Sequence, residues 1–359
     1  MKRKTTRQIL VGHVKIGGDA PISVQSMTKT DTRNVESTLE QISSLAKSGC
    51  EIVRIAIPDE SAAEAFKKIR SGTEMPLVGD IHFNHHLALK VISYGADCVR
   101  INPGNIGDRE KVRAVINAAK KRRIPLRVGV NAGSLERDLL ESYGAPTAEA
   151  LFASAKRHIE FFESEDFCDI KVSLKASDVH TSIEVARIFS EAYDYPLHVG
   201  ITEAGSIFSG TIKSSVGIGI LLSEGIGDTI RVSLTGPPEE EVRVGFEILK
   251  TLGKRKRGPE IISCPTCGRL EVDLEGVIRE VERSLSHVND YVKIAIMGCA
   301  VNGPGEATEA DIGVACGKGV ALLFVNGEVV KKLKEDEIVG ELVEQVERVL
   351  MKRQGDKRE

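Results

Sequence analysis

The sequence predicts an α/β fold of two unequal parts, an N-terminal TIM (β/α)8 barrel and a smaller C-terminal α+β domain. Three observations predict it. Eight short apolar runs alternate with longer helix-period segments before residue 240, the alternation breaks at the charged run Lys254–Arg257, and the single Cys-x-x-Cys of the chain lies beyond that break.

The apolar runs are, in order, ISVQSMT (22–28), EIVRIAI (51–57), LVGDIH (77–82), CVRIN (98–102), LRVGVN (126–131), IKVSLK (170–175), LHVGIT (197–202) and TIRVSLT (229–235). Stretches such as VESTLEQISSLAKSG, ESAAEAFKKIRSG and DREKVRAVINAAKKRR lie between them. These end in Gly or in basic residues, which suit the negative end of a helix dipole. ILVGHVKIGG, ahead of the first strand, reads as a hairpin plugging the barrel floor. After Gly253 come SCPTCGR, the helix-period VDLEGVIREVERSLSHV, the strand-like YVKIAIMG, strands near 311–315 and 320–325, and the helical IVGELVEQVERVLMKR. The expected organisation is a barrel over 1–252, a linker over 253–260, a second domain over 261–352 and a charged tail over 353–359.

Composition narrows the function classes. With 359 residues, 41% of them hydrophobic, the chain can fill two cores; no apolar run reaches membrane-spanning length, so no membrane partner is expected. A net charge of −3 with interleaved signs argues against a nucleic-acid partner. The basic start MKRKTTRQ lacks the apolar core of a secretory signal, and seven cysteines without a small-domain framework indicate a reducing compartment, so the cytoplasm is expected. Neither a Gly-x-Gly-x-x-Gly after a strand nor a Walker loop occurs, and no nicotinamide or nucleoside triphosphate site is expected.

A repeat inside the strands points to a ligand. Arg54, Arg100, Arg127, Lys171 and Arg231 each sit mid-strand, and Ala56, Asn102, Gly129, Ser173 or Ser233 follows two residues later on the same face. Strands of a parallel barrel are covered on both sides, so an unneutralised charge there costs several kcal/mol. Pairing with Asp80, Asp97 and Asp169 would account for some of them. A cluster aimed at a polyanion accounts for all five, and convergent guanidiniums suit a diphosphate, with Lys175 joining at the end of its strand. The carboxyl ends of the strands, where barrel chemistry is expected, carry His82, Asn102, Asn131, Lys175, Glu203 and Thr235. His82, on the same face as Asp80, and Glu203 form a candidate acid–base set.

Cys264, Cys267, Cys299 and Glu306 offer three thiolates and one carboxylate. The turn CPTCG could also be a zinc-ribbon knuckle, but no second Cys-x-x-Cys or spaced His pair completes a ribbon. Three soft ligands favour an iron–sulfur cluster in which one iron keeps an exchangeable ligand. Cys316 could add a fourth thiolate and close the cluster, whereas Cys50, Cys98 and Cys168 read as buried small hydrophobes.

The motifs SVQSMTKTDT, GDIHF, RINPGN, RVGVNAGSL, VSLKASD, GITEAG, SCPTCGR and MGCAVNGPGEA together resemble the bacterial 4-hydroxy-3-methylbut-2-enyl diphosphate synthase family over nearly the whole chain. The resemblance implies reductive ring opening of 2-C-methyl-D-erythritol 2,4-cyclodiphosphate with loss of water, using two electrons from reduced flavodoxin or ferredoxin. It implies a 4Fe-4S cluster on Cys264, Cys267, Cys299 and Glu306. Substrate contacts are implied for Arg54, His82, Arg100, Arg127, Lys175 and Ser233, proton handling for Glu203, and a place near the cluster for Asn302. The reading of the residues adds Asn102, Asn131 and Arg231 to the substrate set and leaves the proton donor open between His82 and Glu203. Cys316 departs from the family pattern. The competing readings are a non-redox barrel transferase or lyase acting on a phosphorylated substrate with a structural zinc module, and a zinc-ribbon binding protein without catalysis.

Assembly follows from chain reach. Each barrel helix returns toward the floor, and Gly253–Ile261 spans at most about 30 Å. A head-to-tail homodimer, with one subunit's cluster domain over its partner's barrel, is therefore expected.

Overall fold

The computed structural model describes residues 2–301 and 303–356. It divides into two compact units between Arg255 and Lys256. No helix among the described residues is long and apolar enough to cross a membrane.

The first unit opens with the expected hairpin, β1 (Ile9–Val11) antiparallel to β2 (Val14–Ile16). Its Ile9, Val11 and Ile16 pack with Ile52, Val78 and Cys98 and seal the barrel floor. Eight parallel strands follow: β3 (Ser23–Met27), β4 (Ile52–Ala56), β5 (Leu77–Ile81), β6 (Cys98–Ile101), β7 (Leu126–Asn131), β8 (Ile170–Lys175), β9 (His198–Val199) and β10 (Thr229–Ile230). They run β8-β7-β6-β5-β4-β3-β10-β9, and a Val172 to Leu197 bridge joins the two ends. Helices between them start where a short polar side chain caps the first turn. Asp59 Oδ1, for example, accepts from the Ala62 amide at 2.9 Å, satisfying a donor the helix cannot. β9 and β10 are shorter than their apolar runs suggest. A Cβ at Gly200 would collide with the Arg231 carbonyl, so the two backbones cross there at close quarters and the ladder ends.

The register fixes which inward side chains share a level. Alternate strands of a closed barrel contribute each layer, and advancing two residues for every second strand returns to the starting residue after one circuit. The lowest layer is Ile52, Cys98, Lys171 and Thr229. Above it lie Gln25, Val78, Arg127 and His198, then Arg54, Arg100, Ser173 and Arg231. Met27, Asp80, Gly129 and Gly200 come next, and Ala56, Asn102, Lys175 and Ser233 line the mouth. The five mid-strand cations thus occupy three levels rather than one ring.

The second unit is a five-stranded sheet in sequential order: β11 (Pro259–Ser263), β12 (Val292–Met297), β13 (Ile312–Gly317), β14 (Val320–Val325) and β15 (Glu328–Leu333). The first three are parallel and the last two antiparallel. Helices Leu274–Ser284 and Ile338–Asp356 cover one face, burying Val277, Val281, Leu342 and Val346 against Ile294, Ile312, Val314 and Cys316. The short helix Gly303–Thr308 lies on the other face, with Ala307 against Ala315 and Phe324. Three expectations are corrected. Pro259 and Glu260, assigned to the linker, already belong to β11. The exposed edge strand β15, rich in charge, was not foreseen. Cys168 is exposed rather than buried.

Helix–strand spacing is tight at Gly79, where an added Cβ would stand 2.6 Å from Val91 Cγ1. Gly79→Ala should destabilise the barrel by about 1–3 kcal/mol through overpacking, read as a lower midpoint in urea unfolding. An unchanged midpoint would mean that β5 and the helix His85–Ser93 can separate freely.

Candidate active site

Asp80 organises the upper barrel. Its carboxylate lies 3.6 Å from Arg54 Nε and 3.1 Å from Arg100 Nη1, and His82 Nε2 stands 3.6 Å away. Burial alone would raise its pKa, but Arg54, the His82 hydrogen bond and Arg100 outweigh that and hold the carboxyl well below the usual range. Arg100 also lies 3.0 Å from His82 Nε2, and with the Asn131 amide turned toward it, Asn131 Oδ1 accepts from Nη2 at 3.0 Å. Gly129 makes this possible, since a Cβ there would sit 2.6 Å from Arg100 Nε. Arg127 donates from Nε to Ser173 Oγ at 3.1 Å.

Arg231 is differently placed. It pairs at 3.3 Å with Glu241, a fully buried carboxylate that also takes Lys29 Nζ at 3.0 Å, Ser26 Oγ at 2.9 Å and the Leu234 amide at 3.1 Å. Glu241 was not foreseen, and two expected carboxylates are corrected. Asp97 binds Arg70 at 2.9 Å away from the cations, and Asp169 is exposed. Among the described residues, Arg54, Arg100, Arg127, Lys171, Lys175 and Arg231 are therefore answered inside the barrel only by Asp80 and Glu241. Burial first, then the neighbouring guanidiniums, pull Lys175 and Arg127 well below their ordinary values. Such an arrangement is set to receive a polyanion.

At the mouth, Asn102 donates to Ser134 Oγ at 2.9 Å, and Ser134 reaches the Asn131 carbonyl at 3.4 Å. The loop after β7 is anchored by Glu136, which accepts from Ser154 Oγ at 2.7 Å and lies 2.8 Å from His158 Nε2. No local pattern announces that anchor, because both partners come from a later helix. Glu203 is exposed and held at φ 52°, a left-handed backbone that costs a non-glycine residue about 1–2 kcal/mol. No hydrogen bond or ion pair of its side chain occurs among the described residues.

In the second unit, Cys264 follows β11, Cys299 follows the neighbouring β12, and Glu306 rides the helix Gly303–Thr308. Thr266, between Cys264 and Cys267, has φ 34°, a tight knuckle. Cys264 Sγ accepts from the Gly298 amide at 3.4 Å, as a thiolate ligand would, and no cysteine is in a disulfide. Among the described residues no three His, Cys, Asp or Glu side chains stand close enough to enclose a metal ion, and Asn302 lies outside those residues. The donor chemistry, three thiols that follow two neighbouring strand ends and a carboxylate on the short helix beyond them, fits an iron–sulfur group. Cys316 faces the helix-covered core, and burial pushes its thiol up to about 12.

Replacing Asp80 by Asn leaves Arg54 and Arg100 without their shared counter-charge, so it should cost about 3–5 kcal/mol. Inorganic diphosphate should raise the melting temperature of Asp80→Asn more than that of the parent. Equal melting of the two proteins would show that Asp80 does not neutralise the cations.

A model of the GcpE TIM-barrel domain matches residues 6–246, and one of the GcpE protein C-terminal domain matches 260–348. A protein of Thermodesulfovibrio yellowstonii is 57% identical over 96% of this chain and 99% of its own length. One of Geobacter sulfurreducens is 56% identical over 98% of this chain and 99% of its own. Both carry the name 4-hydroxy-3-methylbut-2-en-1-yl diphosphate synthase (flavodoxin). Among solved structures, the Yersinia pestis dihydropteroate synthase superposes with a TM-score of 0.50 at 13% identity, over 69% of this chain and 98% of its own, a likeness of barrel fold alone. The two family models between them cover both units, and the chain belongs to the GcpE family.

Proposed function

We propose that the chain converts 2-C-methyl-D-erythritol 2,4-cyclodiphosphate to 4-hydroxy-3-methylbut-2-enyl diphosphate, consuming two electrons and two protons and releasing one water. The observation that carries this reading is the excess of buried cations beneath the barrel mouth, which a cyclic diphosphate matches in charge. Reduced flavodoxin, named for the relatives, is the electron donor that their printed name supports.

Arg54, Arg100, Arg127 and Lys175 hold the diphosphate, and Asn102, Asn131 and Ser233 take its remaining oxygens at the mouth. Arg231 contributes from its pair with Glu241, which fixes the guanidinium in place. His82, tied to Asp80 and Arg100, orients the ring. Glu203, exposed and without a partner among the described residues, is positioned to carry a proton and to regain it from solvent. Cys264, Cys267, Cys299 and Glu306 would hold a 4Fe-4S cluster, with Asn302 close by. Such a cluster supplies electrons singly and an iron able to polarise the departing oxygen. Glu306 is the harder and more readily displaced of the four ligands, so it suits a position that exchanges.

The reading is tested anaerobically. Protein with about four irons per chain should turn over the cyclic diphosphate with reduced flavodoxin. Glu306→Cys should keep the iron and lose most turnover, while Glu306→Ala should lose iron. A colourless zinc protein without turnover would favour the non-redox lyase, and full turnover by Glu306→Cys would remove ligand exchange.

The proposal includes a head-to-tail homodimer. Arg255 bonds the Ile22 carbonyl at 3.0 Å and Glu51 at 2.7 Å, pinning the chain beside the amino ends of β3 and β4, on the floor side. Only residues 256–258 then precede β11, a reach of about 13 Å. A connection this short, leaving from the floor side, favours a cluster that serves a partner's mouth. Mixing Cys264→Ser with Glu203→Gln chains should restore about a quarter of wild-type activity, one intact site in each mixed dimer. No rescue after demonstrated subunit exchange would refute catalysis between subunits.

A further inference from the structure

The lower barrel contains six polar side chains that are each at most 1% exposed: Ser23, Gln25, Arg127, Lys171, His198 and Thr229. Lys171 Nζ, Thr229 Oγ1, Ser23 Oγ, both amide atoms of Gln25, both ring nitrogens of His198 and Nη1 of Arg127 have no hydrogen-bond partner among the described protein atoms. Buried polar groups left in that state cost about 1–3 kcal/mol each, and eight of them would consume the whole net stability of a domain. These atoms therefore face something other than protein.

The register shows that they face one compartment. Lys171 and Thr229 belong to the lowest layer, Gln25, Arg127 and His198 to the next, and Ser23 pairs with Thr229 one row below Gln25. Two members are cations, and neither layer holds a carboxylate; the remaining positions are Ile52, Val78 and Cys98. Asp80, two layers above Arg127, is engaged by Arg54 and Arg100. Water could complete the hydrogen bonds but would leave two buried charges without a counter-charge. Donors also outnumber acceptors, since an ammonium, a guanidinium, an amide, a ring N–H and two hydroxyls converge. The hairpin residues Ile9, Val11 and Ile16 pack on Ile52, Val78 and Cys98 of these same layers and cover them on the floor side.

We propose that the lower barrel holds a small inorganic anion, of halide size, between Lys171, Arg127 and His198, with water completing the shell. The site lies below the diphosphate clamp and shares Arg127 with it, the layer Arg54, Arg100, Ser173 and Arg231 standing between the second layer and the mouth. It stands whether or not the clamp takes the substrate assigned above. The anion raises Lys171 back toward its ordinary value from about 8, where burial puts it, with Cys98 partly offsetting the repulsion of Arg127 and Arg54. It also leaves the upper face of Arg127 for the diphosphate.

The test uses crystals of the full-length holoenzyme, prepared throughout in bromide with saturating inorganic diphosphate to fill the clamp. Anomalous maps at the bromine edge, and long-wavelength maps for retained chloride, should show a halide between Lys171 and Arg127. Lys171→Met, shown to be folded by a wild-type circular dichroism spectrum and a single cooperative unfolding transition, should show none. Should Lys171→Met prove too unstable to crystallise, the wild-type maps decide alone. A wild-type lower barrel holding only water-like density in both maps overturns the proposal, and a halide retained in Lys171→Met overturns the assignment to that lysine.

Discussion

Positive charge buried in a closed barrel is the constraint on which the rest of this structure depends. Among the described residues, four guanidiniums and two ammoniums point inward from five strands, and only Asp80 and Glu241 answer them. The desolvation penalty of an unanswered ion, several kcal/mol even after relaxation, would unfold a domain of ordinary stability if repeated several times. The protein meets this in three ways. Asp80 bridges two arginines, Glu241 holds the third from a helix, and the cations are spread over successive layers instead of sharing one plane.

That spread depends on small residues at particular levels. Gly129 gives the Arg100 guanidinium room to lie against β7, and Gly200 lets β9 cross closely to the backbone of β10 beside Lys175. The apolar half of the lower barrel, Ile52, Val78 and Cys98, is where the hairpin docks, so the floor is sealed on the side that carries no charge. One barrel thus contains a hydrophobic seam, a polar floor and a cationic mouth, ordered by the two-residue period of the strands.

Much of this was legible in the sequence because strand-end positions and inward-facing cations leave a period-two signal. β7 and β8 end where their apolar runs end, and Arg54, Arg100, Asn102 and Lys175 are buried as that alternation requires. The height of each cation was not legible. Lys171 and Arg231 look equivalent in their strands, yet the stagger of the barrel puts Lys171 at the floor and Arg231 two layers higher beside Glu241. Stagger is a property of ring closure, and no single strand encodes it. Glu241 was missed for a related reason: it sits in the first turn of a helix, where an acid is expected merely to meet the dipole. β15 escaped because its Lys and Glu residues mark an exposed edge that apolar periodicity cannot detect. The cysteine pattern located a knuckle, while the turn at Thr266 and the helix bearing Glu306 emerged only with the fold.

The same buried charge gives substrate binding its character. A free enzyme carrying uncompensated cations is destabilised, and a bound diphosphate relieves that destabilisation, so part of the affinity originates in the protein's own interior electrostatics. The carbon–oxygen bond that opens the ring in the proposed reaction ends on a diphosphate oxygen, so the clamp holds the very group that departs from carbon. The clamp can therefore both fix the ring and stabilise the negative charge that gathers on that oxygen as the bond breaks. A barrel that concentrates its charge below and keeps an exposed, left-handed Glu203 above puts anion binding at one end of its axis and a candidate proton carrier at the other. Members of the cation column that never touch the departing oxygen still add to the positive field around it.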